Sequence, residues 1–151
     1  MQLSIQMDLK DFLFAKGYTR SKLHLTKSNH FAIYAKINGQ SGRFILDTGA
    51  SNSCVGSDTI DLFKLVIEDS DIKAVGAGSS DMETQFSKHN RIVIGRWKQE
   101  KAPLILFNLM HVNTALASQN TKIVQGIIGA DILKKGNAII DYEKKYLYLK
   151  L

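Results

Sequence analysis

Cysteine is almost absent from this chain. The single Cys54 excludes an intramolecular disulfide and a cysteine-built zinc cluster, and it fits a reducing compartment. Proline is as scarce: Pro103 stands alone against 11 glycines, so chain reversals fall to glycine. No apolar run approaches the roughly 20 residues of a membrane-spanning helix. The opening stretch MQLSIQMDLKDFLFAKGY mixes acids with its apolar residues and lacks the unbroken apolar centre of a secretory signal. A cytoplasmic location is the expectation, with no membrane partner. The four histidines, at 24, 30, 89 and 111, show no HExxH or comparable spacing, so no metal or other cofactor is expected. A dense basic stripe is missing too. The net charge is +6, but the lysines and arginines are scattered, with small clusters only at RWKQEK (96–101), 134–135 and 144–145. Nucleic acid is therefore not the expected partner, although the charge favours acidic ones.

What is present is a single-domain length of 151 residues with 44% hydrophobic and 23% charged residues, ordinary for a globular protein. A chain of this size buries about two-thirds of its unfolded surface and needs no covalent staples. No tandem repeat or low-complexity tract occurs.

The pattern predicts many short strands and two or three short helices, an all-β fold. Residues 8–16 suit a short amphipathic helix capped by Asp8 and stopped by Gly17. Leu23 and Leu25 alternate with polar neighbours, as do Phe31, Ile33, Ala35 and Ile37, and Asn38-Gly39 is a hairpin signal. GRFILD is a strand arriving at Asp47. Residues 57–64 suit a short helix or an irregular turn. Two strands flank the glycine-rich tip Gly76-Ala77-Gly78. Residues 103–112 (PLILFNLMHV) predict a buried strand and 113–122 a surface loop. KIVQGIIGADILKKG predicts a strand, a tight glycine and a short helix. The close, AIIDYEKKYLYLKL, predicts a hairpin turning near Glu143-Lys144, with Tyr146 to Leu149 available either for pairing between subunits or as ordinary sheet core. Cys54 is expected as a small buried thiol. Trp97 either covers a core edge or forms a contact surface.

Two motifs carry chemistry. In FILDTGASNSCV (44–55), three apolar residues run into Asp-Thr-Gly. Gly49 permits a tight turn that brings backbone N–H groups near the carboxylate, and the Thr48 hydroxyl can bond inward. Either Asp47 is held at a fixed point to do chemistry, or an Asx-turn closes an ordinary strand. In GIIGADIL (126–133), Gly129 follows Ile127-Ile128 at once and allows two backbone segments to pack closely; a plain strand-to-helix turn reads the same way.

Taken in order and spacing, FILDTGAS at 44–51, AVGAGSS at 74–80, GIIGADIL at 126–133 and the closing AIIDYEKKYLYL resemble the retropepsin-like aspartic proteases, bacterial members included. The resemblance covers residues 29–151, the protease domain, while 1–28 resembles an N-terminal extension. It implies a closed, barrel-like acid-protease half-lobe with short helices. It implies that Asp47 is the catalytic carboxylate, that Thr48 locks paired loops across a two-fold axis, and that Gly49, with Ala50, shapes the loop. Gly76, Ala77 and Gly78 correspond to a flap tip. Ile127, Ile128 and Gly129 correspond to the apolar-apolar-glycine element behind the catalytic loop.

The chemistry so implied needs two carboxylates sharing a proton, yet Asp-Thr-Gly occurs once; Asp131 and Asp141 lack its context. The expectation is a C2 homodimer cleaving a peptide or protein substrate, Asp47 facing its counterpart. Retroviral relatives place an Arg directly after the glycine element, paired with an acid just beyond their Asp-Thr-Gly-Ala. Here Ala130 and Ser51-Asn52-Ser53 occupy those places, so the ion pair is lost whole and hydrogen bonds from Ser and Asn must brace the loop. Ala50 replaces a Ser common in pepsin-like halves, which implies activity less acid-shifted than pepsin's. A competing reading is a catalytically inactive peptide-binding or structural domain of the same fold. A basic β-domain binding nucleic acid is a third.

Overall fold

The computed structural model describes residues 6–73 and 83–151. Its short N-terminal helix α1 (Leu9–Ala15) begins at Asp8, whose side chain accepts the Asp11 N–H at 2.8 Å. The helix stops at Gly17, which takes φ +88°, a conformation glycine enters without a steric penalty. Only Leu13 of this helix is buried.

The body is a closed six-stranded β-barrel. Strands β1 (Tyr18–Lys22) and β2 (His24–Leu25) lead into β3 (Phe31–Ile37), which turns through Asn38-Gly39 into β4 (Gln40–Leu46). Both turn residues have positive φ, +52° and +86°, the two-residue geometry that matches strand twist. Further along lie β5 (Cys54–Gly56), β6 (Ile67–Lys73), β7 (Glu83–Ile94), β8 (Trp97–Phe107) and β9 (Gly126–Ile128). The barrel runs β3-β4-β9-β5-β8-β7 and closes where Lys36 and Ile37 of β3 pair with Val93 and Ile92 of β7. Two pairings, β4 with β9 and β5 with β8, are parallel. Alternation in β3 sends Ile33, Ala35 and Ile37 inward to meet Phe44, Ile92 and Ile128, all nearly inaccessible to solvent. Phe44 stacks on Phe63 with ring centroids 6.1 Å apart. Each such side chain contributes about 1.5–3 kcal/mol by leaving water.

At the closure, Asn38 Nδ2 donates to Asn90 Oδ1 at 2.9 Å, and the Arg91 N–H donates to Asn38 Oδ1 at 2.9 Å. Asn90 Nδ2 donates to the carbonyls of Ser87 (3.1 Å) and Ala102 (3.2 Å) where the β7–β8 register shifts. This buried amide knot fixes the base from which the β6–β7 hairpin leaves the barrel. The tip residues Gly76, Ala77 and Gly78 lie outside the described residues.

Several local expectations are corrected. Leu23 is fully buried but Leu25 is 52% exposed, because the chain passes from one sheet to another between β1 and β2 and the alternation resets. Residues 57–64 form turns, the second of the two forms expected for them. The strand expected over 103–112 ends at Phe107, and Met110–Ser118 forms helix α2 where a loop was expected. Asn108 Oδ1 accepts the Met110 N–H at 2.9 Å, and Leu116 drops onto Ile45 and Val124 on the outer face of the β4–β9 pair. Trp97 is 5% exposed and lies in the core.

The closing hairpin forms as read, with β10 (Ile139–Asp141) and β11 (Tyr146–Lys150). It is not, however, a free edge at Tyr146–Leu149. β11 is the middle strand of a three-stranded sheet, β1-β11-β10, and Tyr148 is 1% exposed. Its pairing capacity is used within the chain.

Candidate active site

β4 delivers Asp47. Phe44 anchors the strand in the core, Ile45 sits under α2, and Leu46 packs against the core cluster. Because β4 and β9 run parallel, with Leu46 opposite Ile128, both strands end at the same level. The Asp47 N–H continues the ladder, donating to the Ile128 carbonyl at 2.9 Å. The chain then turns: the Ala50 N–H donates to the Asp47 carbonyl at 3.2 Å, and the Gly49 N–H donates to Asp47 Oδ1 at 2.9 Å. One carboxylate oxygen is thus oriented by the backbone. Asp47, Thr48 and Gly49 are exposed and Ala50 is half-buried. Thr48 lines an open concavity of about 510 Å³ with Ala130, Leu133, Asn137 and Ile140 among its walls.

The second motif comes to the first. Ile128 is fully buried and Ile127 is half-buried against Ile45 and its neighbours. Gly129 is needed for space rather than for backbone freedom: its φ is −108°, but a Cβ there would lie 2.6 Å from the Ala50 carbonyl oxygen. That closeness lets the Ala130 N–H reach the same oxygen at 2.7 Å. Helix α3 (Ala130–Lys135) starts here.

Ser53 braces the loop through hydrogen bonds on both sides. Its Oγ accepts the Gly129 N–H at 2.8 Å. Its own N–H donates to both oxygens of Asp131 at 3.0 Å, and its Oγ–H donates to Asp131 Oδ1 at 2.7 Å. The local sequence gives Asp131 no role. The available signal is an acid in the first turn of a short helix two residues after the packing glycine. Next along the chain, burial pushes the Cys54 thiol up to about 12, with the negative charges of Asp131 and Asp47 acting in the same direction. Cys54 is therefore an inert packed thiol at neutral pH.

The structure thus joins Asp47, Thr48, Gly49 and Ala50 to Ile127, Ile128 and Gly129 in one unit. This arrangement, on this barrel, is a retropepsin-like fold. The chain resembles a retropepsin-like aspartic protease from Rickettsia conorii with TM-score 0.55 and 18% identity, over 88% of this chain and 90% of that one. It resembles EIAV protease, solved with the inhibitor HBY-793, with TM-score 0.55 and 19% identity over 74% and 92%. The retroviral protease-like domain of Ddi1 from Leishmania major matches with TM-score 0.53 and 18% identity over 80% and 87%. No curated protein sequence matches the chain. Residues 33–132 match the Aspartyl protease family, and the chain belongs to that family.

Proposed function

We propose that the chain is an aspartic endopeptidase that works as a homodimer, each copy giving Asp47 to one catalytic pair. The observation that carries this reading is an exposed Asp47, held by the Gly49 N–H at the end of a buried strand, in a family whose chemistry needs two carboxylates and a chain with one Asp-Thr-Gly. Two like charges a few ångströms apart cannot both ionise cheaply, so the pair holds one proton. The ionised member takes a proton from water as the oxygen attacks the peptide carbonyl. The protonated member hydrogen-bonds the carbonyl oxygen and gives up its proton as the tetrahedral intermediate forms. Thr48, on the rim of the concavity, locks the two loops across the axis, while Gly49 and Ala50 shape the turn. Ile127, Ile128 and Gly129 support the loop from behind. The protein acts in the cytoplasm.

A pH–rate profile for peptide cleavage tests the shared proton. The expected profile is bell-shaped, with a maximum less acid than pepsin's, because Ala50 offers no hydroxyl to stabilise the ionised form. A maximum near about pH 2, or a rate that rises steadily through neutral pH, contradicts the reading.

A further inference from the structure

The segment 47–53 is tied to 128–131 at four places. The Asp47 N–H reaches the Ile128 carbonyl (2.9 Å), and the Ala130 N–H reaches the Ala50 carbonyl (2.7 Å). The Gly129 N–H reaches Ser53 Oγ (2.8 Å), and the Ser53 N–H reaches the Asp131 carboxylate (3.0 Å). The first three place a backbone N–H on an oxygen of the facing segment. The fourth depends on one carboxylate, which also accepts the Ser53 Oγ–H at 2.7 Å and the Ile132 N–H at 2.9 Å.

We infer that Asp131 is the positioning residue of the Asp47 loop, acting through Ser53. A carboxylate that only accepts takes the hydrogen bond of the Ser53 hydroxyl and leaves an oxygen lone pair of that hydroxyl for the Gly129 N–H. The direction of the whole relay, amide to hydroxyl to carboxylate, is set at Asp131. Ser53 is 1% exposed and Gly129 is buried, so water cannot replace either bond without opening the loop. Asp131 is half-buried, and its recorded bonds go to the loop and to its own helix, not to Asp47. An alanine in its place leaves the Ser53 N–H, the Ser53 Oγ–H and the Ile132 N–H without this acceptor, and the loop end at 51–53 loses its fixed point.

The helix itself does not hang on this carboxylate. Ile132 and Leu133 are 2% and 7% exposed in the core, the Leu133 N–H donates to Gly129 (3.2 Å), and the Ala138 N–H donates to Leu133 (2.9 Å). An Asp131 variant should therefore fold and show a loop defect rather than a lost helix.

The test uses the full chain with Asp131→Ala, Ser53→Ala and Ser53→Thr, read by peptide-cleavage kinetics and by amide hydrogen exchange over residues 48–53. For Asp131→Ala and Ser53→Ala, kcat per folded chain is expected to fall by about 10²-fold, the usual consequence of an ångström of misplacement. KM stays within about threefold, since peptide binding is not what the brace controls. Loop exchange quickens at least about tenfold as the local opening cost falls. Ser53→Thr, which keeps the hydroxyl, stays within about threefold of the parent in all three. A normal kcat with unchanged exchange in Asp131→Ala overturns the inference. If that variant fails to fold, the Ser53→Ala and Ser53→Thr pair decides: equal behaviour overturns it, and loss with Ala but not Thr supports it. The inference rests on the protease reading, and the exchange arm separates the two. Quickened exchange in the variants of a parent chain that cleaves nothing keeps the brace and rejects the protease; unchanged exchange in the variants of an active parent does the reverse.

Discussion

Asp47→Asn is expected to abolish peptide-bond hydrolysis, lowering kcat by at least about 10⁴-fold, and to leave the fold intact. The loss is large because an amide can neither take the water proton nor share one with a facing carboxylate. The fold survives because Asn retains an acceptor oxygen for the Gly49 N–H, the recorded hydrogen bond of this side chain. The side chain is exposed, so the change in stability stays within about 0.5 kcal/mol. Kinetics on a peptide library and a thermal melt check both halves. Mixing adds a sharper version. In an equal mixture allowed to exchange subunits, only about one quarter of random dimers carry two aspartates, so activity falls to about one quarter of an all-parent sample. A monomeric enzyme retains about half.

Gly129→Ala produces the second large effect, on stability and rate together. One methyl group must occupy space 2.6 Å from the Ala50 carbonyl oxygen and 3.2 Å from the Ala50 Cβ. The obstacle is backbone on a loop held at both ends, so the clash is relieved only by moving that loop. Overpacking of this kind costs about 1–3 kcal/mol. The displaced segment carries Asp47, so kcat falls by about 10²-fold as well. Denaturant unfolding and cleavage rates measure the two effects. Gly49→Ala is the control: a Cβ at that position meets only Asp47 Oδ1, at 3.3 Å, and its φ is not positive. It should cost far less stability than Gly129→Ala.

Local chemistry made much of this architecture readable. Asn38-Gly39 is a turn wherever it is placed, because both residues tolerate positive φ. Phe31–Ile37 alternates because one face must be buried, and Asp8 caps α1 through its own short side chain. The motif pieces 44–50 and 127–129 were legible for the same reason: buried strands that end on a turn look alike from sequence and in space.

What was not legible depends on partners far along the chain. The apolar run LILFNLMHV suits a strand or a helix equally well. It changes from one to the other after Phe107, the last residue that β5 pairs with: β5 is only three residues long, and its Gly56 lies opposite Phe107. The closing strand forms as expected, but its burial does not alternate: Leu147, Tyr148 and Leu149 are all buried, because β11 lies in the middle of a sheet whose other edge is β1, more than a hundred residues earlier in the chain. Asp131 is the clearest case, since its carboxylate acquires meaning only from Ser53, 78 residues away.

These placements bear on how two copies would meet. With β11 paired on both sides inside the chain, the terminal strand is already occupied, and the exposed Thr48 with its concavity is the face left beside Asp47. The separation of the two Asp47 carboxylates in a crystal of the full chain, grown with a peptide-like inhibitor, tests the central claim most directly. The account predicts a two-fold dimer with carboxylate oxygens about 3 Å apart, close enough to share one proton. A monomer, or a dimer whose Asp47 residues lie too far apart to share a proton, contradicts it.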